Sequence, residues 1–267
     1  MLVMKVKLLV VRHGETHYNT EHRINGQYNS NLTPAGIQES EACGRYLRDI
    51  HFDKVLVSDL GRTLQTLQCF GIAGERDVRL RDRNFGPHNG ELYASYARAK
   101  HEERQKLCNG SGNIVGQYTV PSVTSSCVLS YSSPSNLKKK INRHQESRSR
   151  DNAYYKEMLS EIEPPGVERY EDLFLRIEDL IQDTVQEMSA ELCKEKATVL
   201  FVTHCSPVRV CAMVLSSFSS DIFPRDLRKL NIPNNSISEY KITVCDETHS
   251  IDRVELIRLA STKHLHV

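Results

Sequence analysis

VKLLVVRHGETHYN, residues 6–19, decides how this chain is to be read. From Val6 to Val11 every position but Lys7 is apolar, and the run does not alternate with polar residues. That pattern belongs to a strand covered on both faces, as in a parallel α/β sheet. The run stops abruptly at Arg12-His13-Gly14. A second stretch, ATVLFVTHCSP (197–207), does the same and delivers His204. In open α/β sheets, ligands bind beyond the carboxyl ends of the strands. Two histidines far apart in sequence therefore arrive where such a site must lie.

The segments between them fit the same architecture. Thr33 caps a helix that opens on Pro34 and runs to about Asp49. KVLVS (54–58) is a second short strand, followed by a helix over about 61–70. Strand and helix in alternation predict an α/β fold, a three-layer α/β/α sandwich with a mostly parallel central sheet. Residues 91–107 read as a charged helix. PPG (164–166) is a turn, a long amphipathic helix runs from about Tyr170 to Cys193, and another from about Pro207 to Phe218. Two strands follow near 237–244 and 252–259. From Cys108 the composition changes: serine-rich SVTSSCVLSYSSPSN is followed by the basic run LKKKINRHQESRSR. This reads as an inserted, partly disordered loop. One domain over residues 1–267, interrupted by this insert at about 108–150, is expected.

Composition narrows the class. A chain of 267 residues with 39% hydrophobic and 26% charged residues is able to bury a core. A net charge of +1 provides no broad field for nucleic acid or membrane, so neither is expected as a partner. The apolar N-terminal stretch is shorter than the about 20 residues that span a bilayer, and it lacks the order of a signal peptide. A cytoplasmic protein is expected. The eight cysteines include no Cys-x-x-Cys pair, and Cys43, Cys69, Cys193 and Cys211 fall in predicted helices. Free thiols fit better than a zinc site or a disulfide scaffold.

The strand ends carry the chemistry. Neutral imidazole is a competent nucleophile near neutrality. The Arg12 guanidinium presents a fork of donors matched to phosphate oxygens. Gly14 lets the backbone turn closely, and the helices that follow aim their first N–H groups at the same place. In SDLGRTLQT (58–66), Arg62 lies on the first turn after the second strand and completes a two-arginine cradle. Such a set suits the charge spread over a transferring phosphoryl group.

RHGET with Asn19 beyond it, NGQYNSNLTPAG (25–36), SDLGRTLQT, RLRDRNFG (79–86), PPGVERYEDLFLRI (164–177) and VTHCSP (202–207) stand in the order of the histidine phosphatase superfamily. The chain resembles that family over nearly all its length outside the insert. PNNSIS (233–238), the Gly26-Gln27 pair and PPG make it most similar to the fructose-2,6-bisphosphatase branch. The resemblance implies that His13 attacks phosphorus and carries a phosphohistidine. It implies that Arg12, Asn19, Arg62 and His204 bind the phosphoryl group, with Gly26 and Gln27 near the substrate. It implies no metal and no cofactor, and a small phosphorylated metabolite as the partner.

The sequence also departs from that pattern. The family's glutamate in L-x-E-R-x-x-G is here Asp82, shorter by one methylene, about 1.5 Å. Asp82 remains the expected general acid, with Glu91 and His88 as alternatives on the same segment. Cys205 stands where a glycine usually follows the second histidine, and its side chain either crowds the phosphate or turns aside. Val167 replaces a glycine, and Asn89 an acidic residue, which makes the pocket less anionic around the leaving group. Three functions follow: a phosphatase acting on a sugar bisphosphate or 2,3-bisphosphoglycerate, a phosphoglycerate mutase, or a weakly catalytic or non-catalytic binder of phosphorylated ligands. Lys138–Lys140 and Arg143 of the insert are candidates to clamp a second phosphate.

Overall fold

The computed structural model describes residues 4–109, 162–191, 195–219, 230–245 and 247–266. Among the described residues six strands form one sheet: β1 (Lys5–Arg12), β2 (Lys54–Val57), β3 (Glu75–Arg76), β4 (Lys196–Thr203), β5 (Ile237–Val244) and β6 (Ile251–Ser261). Their order across the sheet is β3-β2-β4-β1-β5-β6. The β3/β2, β2/β4 and β4/β1 pairs are parallel, and β5 runs antiparallel to both β1 and β6. The sheet is thus mixed, with its parallel part at the strands read as apolar runs. The two-residue β3 has no apolar run of its own and was not foreseen.

Side-chain alternation explains the layers. On β1, Val6, Leu8 and Val10 enter one core, while Leu9 and Val11 enter the other. Helix α1 (His17–Thr20) is a single capped turn after β1. Helices α2 (Pro34–Leu47) and α3 (Gly61–Phe70) cover the second face through Cys43, Leu47, Leu67 and Phe70. Helix α4 (Tyr93–Asn109) follows. Helices α5 (Tyr170–Glu191) and α6 (Cys205–Ser216) cover the first face through Leu173, Ile177, Val208 and Met213. This is the expected α/β/α sandwich. The Thr33 hydroxyl accepts from the Gly36 N–H, as the cap reading requires.

One boundary moves in a way that matters. Helix α6 begins at Cys205, not near Pro207, with His204 as its N-cap. Proline is tolerated in a first turn because those N–H groups have no intrahelical acceptor, so Pro207 does not delay the start. Cys43, Cys69 and Cys211 lie in helices and are free thiols. Cys193 and the insert at about 108–150, with Lys138–Lys140 and Arg143, lie outside the described residues.

Candidate active site

Register brings the strand ends together. Arg12 of β1 stands beside Thr203 of β4, and Val57 of β2 beside Val202. The next residues along are His13, His204 and Ser58. Two backbone bonds seal this level: His13 N–H to the Thr203 carbonyl at 2.9 Å, and Ser58 N–H to the Val202 carbonyl at 3.0 Å. The His13 and His204 rings consequently meet edge to face, with centroids 5.2 Å apart.

His13 is almost fully buried. Its Nδ1 lies 2.7 Å from the Gly14 carbonyl, which can only accept, so Nδ1 carries the proton. The lone pair is then on Nε2, which faces the Arg62 Nε–H at 3.2 Å. Burial, then the Arg62 and Arg12 charges, hold the proton affinity of His13 well below the ordinary 6.5, against the Gly14 bond. A neutral imidazole with a fixed tautomer and a presented Nε2 is the result.

Arg62 organises the floor of the site. It has no exposed surface, and its remaining donors reach the Tyr28 carbonyl at 2.8 Å and the Gly26 carbonyl at 2.7 Å. One nitrogen also bonds the Asp82 carboxylate at 3.3 Å. Burial pushes Arg62 down to about 10, partly offset by Asp82, so it stays a cation at neutral pH. The loop at 25–28 is drawn around it. Gly26 adopts φ +48°, and a Cβ there would fall 1.8 Å from the Asn89 amide oxygen, so only glycine allows the approach. Gln27 donates its side-chain amide to the Asp82 carbonyl at 3.3 Å.

The other predicted residues are placed as follows. Arg12 donates to the Ile232 carbonyl, and its buried Nε has no partner among the described residues. The Asn19 side-chain oxygen accepts from the Thr16 N–H at 3.1 Å and from Asn234 at 3.3 Å. Its Nδ2 donor is what it can offer a ligand. Asp82 is brought against Arg62, and its second oxygen accepts from the Arg83 N–H at 2.9 Å. Glu91 and His88 are bonded to each other at 2.9 Å, with no hydrogen bond to His13, Arg62 or His204. Asn89 ties its own turn to the loop at 26–27. It accepts from Gln27 and Phe85, and donates to Asn84 and Gly86. Cys205 turns aside and packs against the larger core. Val167 packs with Ile24, Tyr96 and Phe85.

Several residues at the site carried no expected role. Ser58 is fully buried with its hydroxyl 2.8 Å from His204 Nε2. Thr66 accepts from the Gly14 N–H at 3.0 Å. Asn234 donates to the His13 carbonyl at 3.0 Å, and the Asn235 N–H to the Arg12 carbonyl at 3.1 Å. Arg176 of α5 holds the carbonyls of Arg81 and Asp82 at 2.8 and 3.2 Å. Ser58 had a positional signal, since it follows its strand as His13 and His204 follow theirs, whereas Thr66, Arg176, Asn234 and Asn235 lay within the quoted motifs without a role of their own. Among the described residues, no three His, Cys, Asp or Glu side chains are grouped to hold a metal ion, and no helix is long and apolar enough to cross a membrane.

A six-stranded mixed sheet thus brings two histidines and Arg12 to its strand ends, with Arg62 on the first turn of the helix after β2. The pattern of the histidine phosphatase superfamily (branch 1) matches residues 8–120. Over 125 residues it is 37% identical to a fructose-2,6-bisphosphatase, TIGAR B of Danio rerio, covering 43% of this chain and 45% of that protein. It is 35% identical over 112 residues to a probable phosphoglycerate mutase, GpmB of Erwinia tasmaniensis, covering 40% and 52%. The chain thus spans about half the length of the curated relatives it matches. The fold superposes on phosphoglycerate mutase from Bacillus anthracis with a TM-score of 0.65 at 22% identity, covering 99% of this chain and 97% of the other. A mycobacterial glucosyl-3-phosphoglycerate phosphatase gives 0.61 at 18%, covering 96% and 99%.

Proposed function

We propose that this protein hydrolyses a small phosphate monoester through a phosphohistidine on His13. The observation that carries the reading is the fixed Nδ1–H tautomer of His13, whose Nε2 faces Arg62 while Asp82 bonds the same guanidinium. In the first step the Nε2 lone pair forms the N–P bond as the ester P–O bond breaks. Asp82 in its acid form gives its proton to the departing oxygen. Water then attacks phosphorus, its proton passes to the Asp82 carboxylate, the N–P bond breaks and phosphate leaves. Arg12, Arg62, Asn19 and His204 hold the charge on the transferring oxygens. The chemistry asks for no metal or cofactor.

The similarity to TIGAR B, a fructose-2,6-bisphosphatase, supports a sugar bisphosphate such as fructose 2,6-bisphosphate as substrate, and 2,3-bisphosphoglycerate is the second candidate. The similarity to a probable phosphoglycerate mutase supports a second reading, in which the phosphohistidine returns its group to bound product. The test is phosphate release from sugar bisphosphates, 2,3-bisphosphoglycerate and an aryl phosphate, in chelator. Wild type is to turn over at least one ester, and His13→Ala none. Asp82→Asn is to lose about 10²–10⁴-fold on alkyl esters and far less on the aryl phosphate, whose leaving group needs no proton. Isomerisation of an added phosphoglycerate, with its phosphoryl group passed to the bound product and no free phosphate released, would instead establish the mutase. No turnover with intact ligand binding would leave a binding protein.

A further inference from the structure

We infer that Ser58 is a positioning residue that fixes His204 as a neutral N–H donor to the transferring phosphoryl group. The inference rests on the phosphoryl-transfer reading of the site, and it follows from where protons can go. Ser58 is fully buried, and its hydroxyl oxygen already accepts from the Leu60 N–H at 3.4 Å. The hydroxyl proton therefore needs an acceptor, and the ring nitrogen 2.8 Å away, His204 Nε2, is the one within reach among the described residues. His204 is surrounded by positive charge, and burial followed by Arg62 and His13 disfavours its cationic form. A neutral imidazole has a single N–H. If Nε2 accepts from Ser58, the proton is on Nδ1. That nitrogen is buried and has no partner among the described residues. A buried donor left unmet is costly and is expected to be paired with something, here an anionic oxygen.

The two histidines then carry the same tautomer to opposite ends. His13 gives its Nδ1–H to the Gly14 carbonyl and presents a lone pair. His204 gives its lone pair to Ser58 and presents an N–H. A nucleophile and a donor thus stand 5.2 Å apart, centroid to centroid, with neither ring charged. The opposite tautomer of His204 would turn a second lone pair toward the phosphate oxygens and repel them.

The experiment reads the tautomer directly, by nitrogen-15 NMR of the histidine rings in the full chain, with His204 assigned through His204→Gln. Wild type is expected to show His204 protonated at Nδ1 and bare at Nε2. In Ser58→Ala the proton should move at least in part to Nε2. Affinity for vanadate, a mimic of the transferring group, and kcat on the best ester should fall together by about 10- to 100-fold, with KM little changed. Ser58→Thr, which keeps the hydroxyl, should recover much of both. Nε2–H in wild type, or an unchanged tautomer and vanadate affinity in Ser58→Ala, would overturn the role. Should Ser58→Ala not fold, the wild-type tautomer alone decides. The expected tautomer and vanadate binding without phosphate release from any ester would remove the hydrolase reading and leave the role of Ser58 intact.

Discussion

His13 and His204 are each at the end of a buried strand, and neither can take up a proton cheaply. Burial is the first cause for both, and the Arg62 charge the second. This has a consequence for stability with a definite sign. In the unfolded chain both rings titrate near 6.5, whereas in the folded chain they remain neutral well below it. Below that pH the unfolded state binds more protons, so stability conferred by the neutral rings is whole above about pH 6.5 and declines as pH falls toward the depressed folded values. Urea midpoints measured from about pH 8 to 5 should fall on the acid side, and less steeply in His204→Gln. Activity should persist below 6.5, because the nucleophile is still unprotonated there. A rate that halves at the ordinary imidazole value would show the ring to be solvated and the buried site to be wrong.

At the scale of elements, the turns after the strands decide the geometry. The Gly14–Glu15 turn lies against the first turn of α2, where the Thr33 hydroxyl donates to the Glu15 carboxylate at 2.8 Å. Gly36 sits in that turn, and a Cβ on it would fall 2.2 Å from the Glu15 carbonyl oxygen and 2.9 Å from its nitrogen. Helix propensity alone says that Gly36→Ala should stabilise by about 1 kcal/mol. The contact says the opposite, since both opposing atoms are backbone and cannot swing away. We expect net destabilisation of about 1–3 kcal/mol, read from the urea midpoint, together with a fall in kcat/KM as the His13 turn is displaced. A more stable Gly36→Ala would show that α2 can shift without disturbing the site. Helix α6 makes a related point. Because it starts directly at Cys205, His204 is held by a strand on one side and a helix on the other.

Over the whole molecule, the site is tied across the sheet by a residue outside every strand end. Arg176 projects from α5, more than ninety positions along the chain from the segment it holds. It donates to the carbonyls of Arg79, Arg81 and Asp82 and pairs with Glu168 at 2.8 Å. The Glu168 carboxylate in turn accepts from the Asn84 N–H at 2.8 Å. The segment bearing Asp82 therefore has little regular structure of its own and is shaped by α5. Arg176→Met keeps much of the apolar stem but strands three carbonyls and a half-buried carboxylate. The expected cost is about 2–4 kcal/mol in denaturant unfolding. Turnover of alkyl phosphates should drop more than that of aryl phosphates, because the loss reaches Asp82. An equal drop on both would place the damage elsewhere.

Periodicity and punctuation in the sequence were enough to determine the strands at β1, β2 and β4, the capped helix α2, the positions of Arg12, His13 and His204 at strand ends and that of Arg62 on the first turn after β2. Those features are local: a doubly buried strand must be apolar, and a helix must begin where its N–H groups find a cap. The sequence also put Asp82 forward as the acid, by resemblance. What only the tertiary structure decided is which atom faces which. The tautomer of His13 depends on the Gly14 carbonyl, the state of His204 on Ser58, and the place of Asp82 on Arg62, Gln27 and Arg176. Apart from the adjacent His13–Gly14 pair, none of these pairings has a period or a spacing along the chain. Glu91 and His88 show the same limit, since their chemistry suited the site but their side chains are bonded to each other. Composition says which donors and acceptors exist, and only packing says which of them are left over for a substrate.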